Sequence, residues 1–431
     1  MKKILLIIIG AIVVIFIAVL AMFWFKACPP KGPWPMPPWC KVFVINKYDV
    51  SLNAEKLSQI KAVNMYDTWG RNYNMGMVEA TWDNIESSFN RVENIGAGEV
   101  YVHDFDRAIY GKNHDYSSTD YVLEDDIFGN DMRDQAISAS DLKKLVAAAH
   151  KNGLKLGIKR NLTFIDMGNL LVSGLRGTIG QDVASNFSKF NQGHTQEWVK
   201  DYFAKWQARL VEKAKIYQVA GVDIMSVSPT FQDPQFVGQE ALANELWKKL
   251  ITEVKNNFKG QVLVDFNVYG LVDGNNGSEN WRKYDYYKNA DIVEVRVYKI
   301  LEKYQSANKN LKQDLAQMAN GLDESARELG IKISVFFAPS SYIDGLYSGP
   351  VEFLDINNER IKNLEKDYDI QANAFDGFFS AIKNKSNIVR INSANFTWDD
   401  AIDPEVMPRV SISASFRNKP AENVVKEWYQ K

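Results

Sequence analysis

Four carboxylates fall within or just after apolar stretches that are typical of buried strands, and they are the side chains best placed to do chemistry. They are Asp104 and Asp106 in VHDFDRAIYG, Asp265 in QVLVDFNVYG and Glu294 in DIVEVRVY. A carboxylate beside a second one can act as a general acid, a general base or a nucleophile. We therefore take these four as the candidate catalytic residues.

The elements that must position these carboxylates form a regular series. Strand-like runs alternate with helical patterns from about residue 42 onward, giving eight strand-then-helix units between a strand at 61–69 and a closing helix at 419–431. Eight such units predict an α/β fold, a (β/α)₈ TIM barrel, with a doubly wound open sheet as the alternative. No glycine-rich phosphate loop follows the early strands, which favours the barrel. We expect 107–136 and 162–193 to be loops on its C-terminal face.

Glu294 lies on the polar face of its predicted strand. Val293, Val295 and Val297 alternate with Glu294, Arg296 and Tyr298, so the two sets point to opposite sides. If the valines pack against the outer helices, Glu294 points into the barrel, where a charge must be paired or neutralised. Two interpretations remain open. Glu294 is either an interior ion-pair partner of Arg296, Lys159 or Arg160, or a catalytic or ligand-binding carboxylate.

Asp104 and Asp106 share a strand face with two valines and are expected to emerge at the rim, where they could bind ligand hydroxyls or a cation, or cap a loop. His103 alternates to the other face, where packing is the expected role. The candidate binding residues near other strand ends are Trp69, Arg160, Asn161, Arg296, Tyr298, Asn392 and Trp398. Each of these could equally belong to the packing of loops or core.

The N-terminus predicts a membrane anchor over residues 1–26. Lys2 and Lys3 precede an uncharged stretch, residues 4–25, which at ~1.5 Å per residue can cross a bilayer core of ~30 Å. The stretch is longer than a signal-peptide core and ends in aromatic residues. We predict a single-pass anchor with a cytoplasmic N-terminus and an extracytoplasmic body. The alternative is a cleaved signal peptide and secretion.

The segment 27–41 is rich in proline and predicts a stiff polyproline spacer between the anchor and a body at 42–431. Cys28 and Cys40 are the two cysteines of the chain. They could form a disulfide outside the cytoplasm, but the sequence does not decide this.

Composition excludes some partners. The 431 residues carry a formal net charge of −2, so the chain lacks the basic field that nucleic acid requires and we expect no such partner. The sequence contains no HxxH or HExxH motif and no His/Asp cluster with ligand spacing. We therefore predict no metal site and no cofactor.

Five stretches together resemble the clan A glycoside hydrolases, and among them the bacterial β-mannanases of glycoside hydrolase family 113. In chain order they are AAAHKNGLKLGIK, AKIYQVAGVDIMSVS, LWKKLITEVKNNFKGQVLVDFN, ADIVEVRVY and RNKPAENVVKEWYQK. The resemblance implies a (β/α)₈ barrel, an extracellular β-glycan substrate and a retaining mechanism. It also implies two catalytic glutamates at the ends of the fourth and seventh barrel strands, about 5–5.5 Å apart.

This chain departs from that pattern at both strand ends. The fourth strand ends in SVSP, residues 226–229, and the seventh in FAPS, residues 337–340, without an acid in either. One hypothesis is a membrane-anchored glycoside hydrolase that cleaves a β-linked polysaccharide through relocated carboxylates. The alternative is a catalytically inactive carbohydrate-binding or cell-envelope protein on the same barrel. Two facing carboxylates would favour hydrolysis, whereas acids paired with arginine would favour binding.

Overall fold

The computed structural model describes residues 54–68, 82–110, 118–124, 137–166, 193–229, 234–272, 280–350, 363–398 and 408–431. The predicted membrane segment at 4–25, the proline-rich segment and Trp69 lie outside these ranges. Among the helices that are described, none is both long enough and apolar enough to span a bilayer.

Eight parallel strands close into a barrel, as the alternation of strand and helix predicts. The strands are β1 (Ile60–Thr68), β2 (Glu99–Tyr110), β3 (Tyr121–Glu124), β4 (Lys155–Asp166), β5 (Ile224–Ser226), β6 (Gln261–Asn267), β7 (Ile292–Val297), β8 (Ile333–Phe337) and β9 (Ile388–Phe396). β1 pairs with both β2 and β9, which closes the cylinder. β3 is the exception, because it adds to the barrel wall as an antiparallel partner of β2. The pairing rules out the open sheet.

Helices alternate with these strands along the chain. They are α1 (Trp82–Ile95), α2 (Ala139–Lys151), α3 (Gln196–Ala220), α4 (Glu240–Asn257), α5 (Val268–Val272), α6 (Leu311–Leu329), α7 (Gly345–Ser348), α8 (Tyr368–Ile382), α9 (Pro408–Ile412) and α10 (Pro420–Gln430). Local capping fixes their ends. The Thr195 hydroxyl accepts the Trp198 N–H at the start of α3, and Gly221 ends that helix at φ 84°.

The core has two parts. A large apolar layer separates the strands from the helices, and it contains outward-facing strand residues such as Val100 and Val102. A small cluster fills the lower barrel and consists of Ala62, Tyr101, Ile224, Leu263 and Ile292; we call it the barrel floor. The Tyr101 ring can lie across the floor because its neighbour is glycine. A Cβ added at Gly157 would lie 2.4 Å from that ring.

β2 and β4 run further than the sequence suggests. They stay paired from Glu99–Lys155 to Tyr110–Asp166, so the starts of both expected loops are strand instead. The first expected loop also contains β3. The expectation of loops at 107–110, 121–124 and 162–166 is therefore wrong. Polar residues continue the pairing here because each backbone N–H and C=O finds a ladder partner.

Candidate functional site

Charged side chains meet inside the barrel just above its floor. The Lys159 ammonium forms an ion pair with the Glu294 carboxylate, and neither side chain is exposed. Glu294 also accepts hydrogen bonds from the Ser334 hydroxyl at 3.1 Å and from Asn392 Nδ2 at 3.0 Å. Lys159 lies 4.3 Å from the centre of the Phe336 ring. The structure thus places Glu294 inside the barrel, as strand alternation predicts, with Lys159 as its partner.

Asp265 lies beside Glu294, because β6 and β7 place the two residues directly opposite each other. Its carboxylate is fully buried, with Arg296 Nε 3.4 Å from Oδ1. Neither Asp265 oxygen has a hydrogen-bond donor in the described part of the chain. Burial raises the pKa of Asp265, with a smaller contribution from Glu294, and the opposing charges of Arg296 and Lys159 do not cancel the rise. This acid therefore has a greater tendency than a solvated aspartate to hold a proton.

A chain of neutral polar groups runs along the inner faces of the neighbouring strands β4, β2, β1 and β9, above these charges. Asn161 Nδ2 donates to His103 Nδ1 at 3.0 Å, His103 Nε2 donates to Asn64 Oδ1 at 3.1 Å, and Asn64 Nδ2 donates to Asn395 Oδ1 at 3.2 Å. We call these four residues the amide chain. Burial and the charge of Lys159 lower the pKa of His103 to about 3. The imidazole is therefore neutral at physiological pH, and His103 and Asn395 remain partly exposed.

Asp104 and Asp106 lie on the other side of the wall. Both carboxylates form ion pairs with the Arg160 guanidinium beneath α3, and all three side chains are fully buried. Arg209 Nε donates to Asp106 at 2.8 Å, and the Tyr217 hydroxyl donates to Asp104 at 2.6 Å. We call these residues, together with Lys213, the outer network.

The expectation that Asp104 and Asp106 emerge at the rim is therefore not met. β2 continues to Tyr110, so both acids lie in mid-strand, where the outward face is covered by a helix. Burial alone would raise the pKa of Asp104, but the charges of Arg160 and Lys213 outweigh it and hold the pKa below its usual value. Burial also lowers the pKa of Lys213 to about 8. Arg160, expected at the binding site, belongs to this network instead.

Trp398 also lies outside the barrel. It is 5% exposed, and its ring centroid lies 5.9 Å from that of Phe89 on α1. The pairing of β1 with β9 shifts between Asn64 and Met65, and beyond the shift Phe396 and Trp398 pack with the outer core. Of the remaining candidates, Asn161, Arg296 and Asn392 lie on the inner strand faces. Tyr298 follows β7 and packs against Phe336.

The two strand ends that carry the glutamates in the resembling family hold small residues here. Ser228 follows β5, the fourth barrel strand, and is 2% exposed, whereas Ala338 follows β8, the seventh, and is fully buried. The Ser228 hydroxyl accepts the Asp265 N–H at 2.6 Å. It therefore helps to fix the β6 backbone.

His103 is the residue of the site that the sequence analysis assigned to packing. The available signal was its alternation with Asp104, which places it on the same inner face as Lys159 and Asn161. The paired register of β2 and β4 makes His103 a direct neighbour of Lys159. Its ring nitrogens contact the Asn161 and Asn64 side chains, so His103 makes polar contacts on this inner face.

The fold is similar to solved structures of glycoside hydrolase family 113. The β-mannanase of that family from Alicyclobacillus acidocaldarius superposes with a TM-score of 0.54 at 12% identity, covering 87% of this chain and 97% of the enzyme. A second family 113 β-1,4-mannanase gives 0.55 at 14% identity, covering 86% and 99%. No family model matches the sequence, and no curated protein matches it. The comparisons thus establish the (β/α)₈ barrel fold.

Proposed function

We propose that this protein binds a β-linked glycan at the mouth of its barrel and does not cleave it through the glutamate pair of the family 113 enzymes. The amide chain supports this proposal. A sugar hydroxyl both donates and accepts hydrogen bonds, and an asparagine amide offers one group of each kind. The neutral His103 uses both ring nitrogens to hold the Asn161 and Asn64 amides in place without adding a charge. The similar structures are β-mannanases, which supports a β-linked glycan as the ligand class.

The acids of the described barrel argue against hydrolysis. Ser228 and Ala338 stand at the strand ends where the two glutamates are implied. Asp104 and Asp106 are bound to Arg160 outside the wall, and Glu294 is bound to Lys159 within it. A catalytic carboxylate must reach the glycosidic oxygen or the anomeric carbon. Carboxylates that are buried and ion-paired do not meet that requirement.

The location of the body is part of the same proposal. Residues 4–25 anchor the chain in a membrane, and the barrel lies on the extracytoplasmic side, where extended glycans occur. Protease added to intact cells would then degrade the barrel and spare the anchor. Release of a full-size barrel into the medium would instead indicate a cleaved signal peptide.

The binding proposal is tested with the full chain on native gels that contain single soluble β-mannans, β-galactans or β-glucans. We expect retardation by at least one glycan without release of reducing ends. Asn395→Ala should weaken binding about ten-fold, because the partly exposed Asn395 amide would lose one hydrogen bond to the glycan, worth about 1–1.5 kcal/mol. The matched control is Asn256→Ala, an exposed asparagine near the end of α4, which should bind as the wild type does. Absence of binding to every glycan would contradict the proposal.

Hydrolysis remains a second candidate because of one observation, the raised pKa of Asp265 beside Glu294. A pair of acids whose environments differ can divide the roles of proton donor and nucleophile. Reducing ends released by the wild type but not by Asp265→Asn or Glu294→Gln, with glycan binding retained in both variants, would establish this candidate and exclude the first.

A further inference from the structure

The end of the barrel at which the strands begin, the N-terminal face, is densely basic. Its turns and first strand residues carry Lys56, Lys155, Lys259, Lys332 and Lys385, which are exposed or half-exposed. In the described part of the chain, none of the five has a carboxylate within 4 Å. Lys332 and Lys385 donate only to neutral groups, such as the Asn387 and Asn320 side-chain oxygens.

Three acids in the same turns are bound to basic side chains or to backbone N–H groups. Glu55 is paired with Lys383. Asp223 lies 2.8 Å from His150 Nε2 and also accepts the Leu156 N–H. Asp291 lies 2.7 Å from Lys255 Nζ and also accepts the Val262 N–H. These three acids fix the turns. Asp323 on α6 also lies at this face, where it accepts the Asn387 N–H, and the exposed lysines of the turns outnumber these acids.

Apolar side chains are exposed among these lysines. Six large apolar side chains are exposed in the described ranges, and three of them lie at this face: Ile60, Val219 and Val389, at 46%, 75% and 38%. Ile60 and Val389 start neighbouring strands, since Ile60 pairs with Arg390. A surface that combines lysines with isolated apolar side chains suits the interface of a bilayer with anionic lipids.

The position of the proposed membrane span in the chain indicates that the N-terminal face lies next to the bilayer. The barrel begins at its N-terminal face, immediately after residues 26–53, which follow the proposed membrane span. That segment reaches at most about 100 Å when fully extended, so the barrel stays within that distance of the bilayer that holds the proposed span. The face next to this segment is the basic one.

We infer that the N-terminal face binds the anionic surface of the bilayer in which the chain is anchored, so that the mouth with the amide chain points away from the membrane. This inference rests on the proposed membrane anchor. The partner is a surface of anionic lipid headgroups. Binding is electrostatic and is weakened by salt, because a Debye length of about 10 Å at 0.1 M falls to about 3 Å at 1 M.

The test uses the full chain in vesicles of phosphatidylcholine alone or with about 30% phosphatidylglycerol. Exposed lysines are labelled with an amine-reactive ester and read out by mass spectrometry. We expect labelling of the five lysines to fall about three-fold or more in the anionic vesicles and to recover in 1 M salt. Lys200 and Lys312, near the first turns of α3 and α6 at the opposite end, are exposed and serve as internal controls that should not change.

A double variant, Lys155→Gln with Lys259→Gln, should reduce the protection of Lys56, Lys332 and Lys385. Its matched control is Lys200→Gln with Lys312→Gln, which should leave protection intact. Flotation with vesicles but equal labelling in both compositions would overturn the inference and leave the anchor standing. Equal protection in phosphatidylcholine alone would also overturn it, because the contact would not depend on charge. Failure to float with either composition would refute the anchor and the inference together.

Discussion

Lys159 and Arg160 are consecutive residues of β4, and they serve opposite sides of the barrel wall. Arg160 points outward into a network in which both acids receive several hydrogen bonds and α3 is held against the strands. Lys159 points inward to Glu294, next to Asp265, whose oxygens receive no hydrogen bond from the residues that the structure describes. The charged side chains on the outer side therefore have a structural role, which is to hold α3 against the strands. The inner side keeps an acid that can still change its protonation or accept a ligand.

Removal of Arg160 should have the largest effect. Arg160→Met leaves Asp104 and Asp106 buried without their shared partner, so we expect unfolding to become easier by about 3–5 kcal/mol. Chemical denaturation monitored by circular dichroism measures this change. The control is Arg327→Ala, which removes a surface pair with Glu324 and should cost at most about 0.5 kcal/mol. A similar loss in both variants would show that the outer network has no special structural role.

Replacement of Lys213 should stabilise the protein, whereas replacement of Arg160 should destabilise it. Burial lowers the pKa of Lys213 to about 8 from 10.5, so the folded state disfavours the charged lysine. The free energy of unfolding therefore falls as the pH drops from 10.5 to about 8. Lys213→Met should therefore raise the free energy of unfolding at pH 7 by up to about 3 kcal/mol. The gain should shrink as pH rises from 8 to 10.5. A pH-independent difference would contradict the assignment.

Lys159 is the inner counterpart of Arg160 and should matter less. Glu294 keeps two neutral donors when Lys159 is lost, so Lys159→Met should cost about 2–3 kcal/mol, below the range for a fully broken buried pair. Adding Glu294→Gln removes the unpaired charge and should restore part of the loss. A double-mutant cycle measures this coupling, and purely additive losses would show that the two residues act independently.

Replacement of Asp265 should change the free energy of unfolding least. The direction of this change with pH tests whether the pKa of Asp265 is raised. Its folded pKa is raised, so the stability that it contributes is present below its unfolded pKa and is lost as pH rises through the folded value. Asp265→Asn removes that loss. The variant should therefore gain on the wild type in unfolding free energy between acidic and neutral pH, as thermal unfolding at a series of pH values would show. A variant that loses ground toward neutral pH would contradict the raised pKa.

The sequence predicts the barrel well because alternation is local. The periods of 2 and 3.6 residues set each strand and helix, and the valines of DIVEVRVY place Glu294 on the inner face. The same alternation places Asp104 with Val102. What it cannot supply is the length of β2, because a polar stretch such as HDFDR continues a strand only when a neighbour offers backbone partners. The outward position of Trp398 depends on a shift in pairing that no local pattern encodes.

The adjacency of Lys159 and Arg160 also protects the alignment of β4. A slip of one residue would turn every side chain of that strand to the other side. Lysine would then meet the two aspartates under α3 and arginine would enter the crowded space above the floor, so both sets of acids would lose their matched cations at once. A misaligned barrel is thus disfavoured on both sides of the wall at once, because each set of acids would meet a cation of the wrong length and hydrogen-bond geometry.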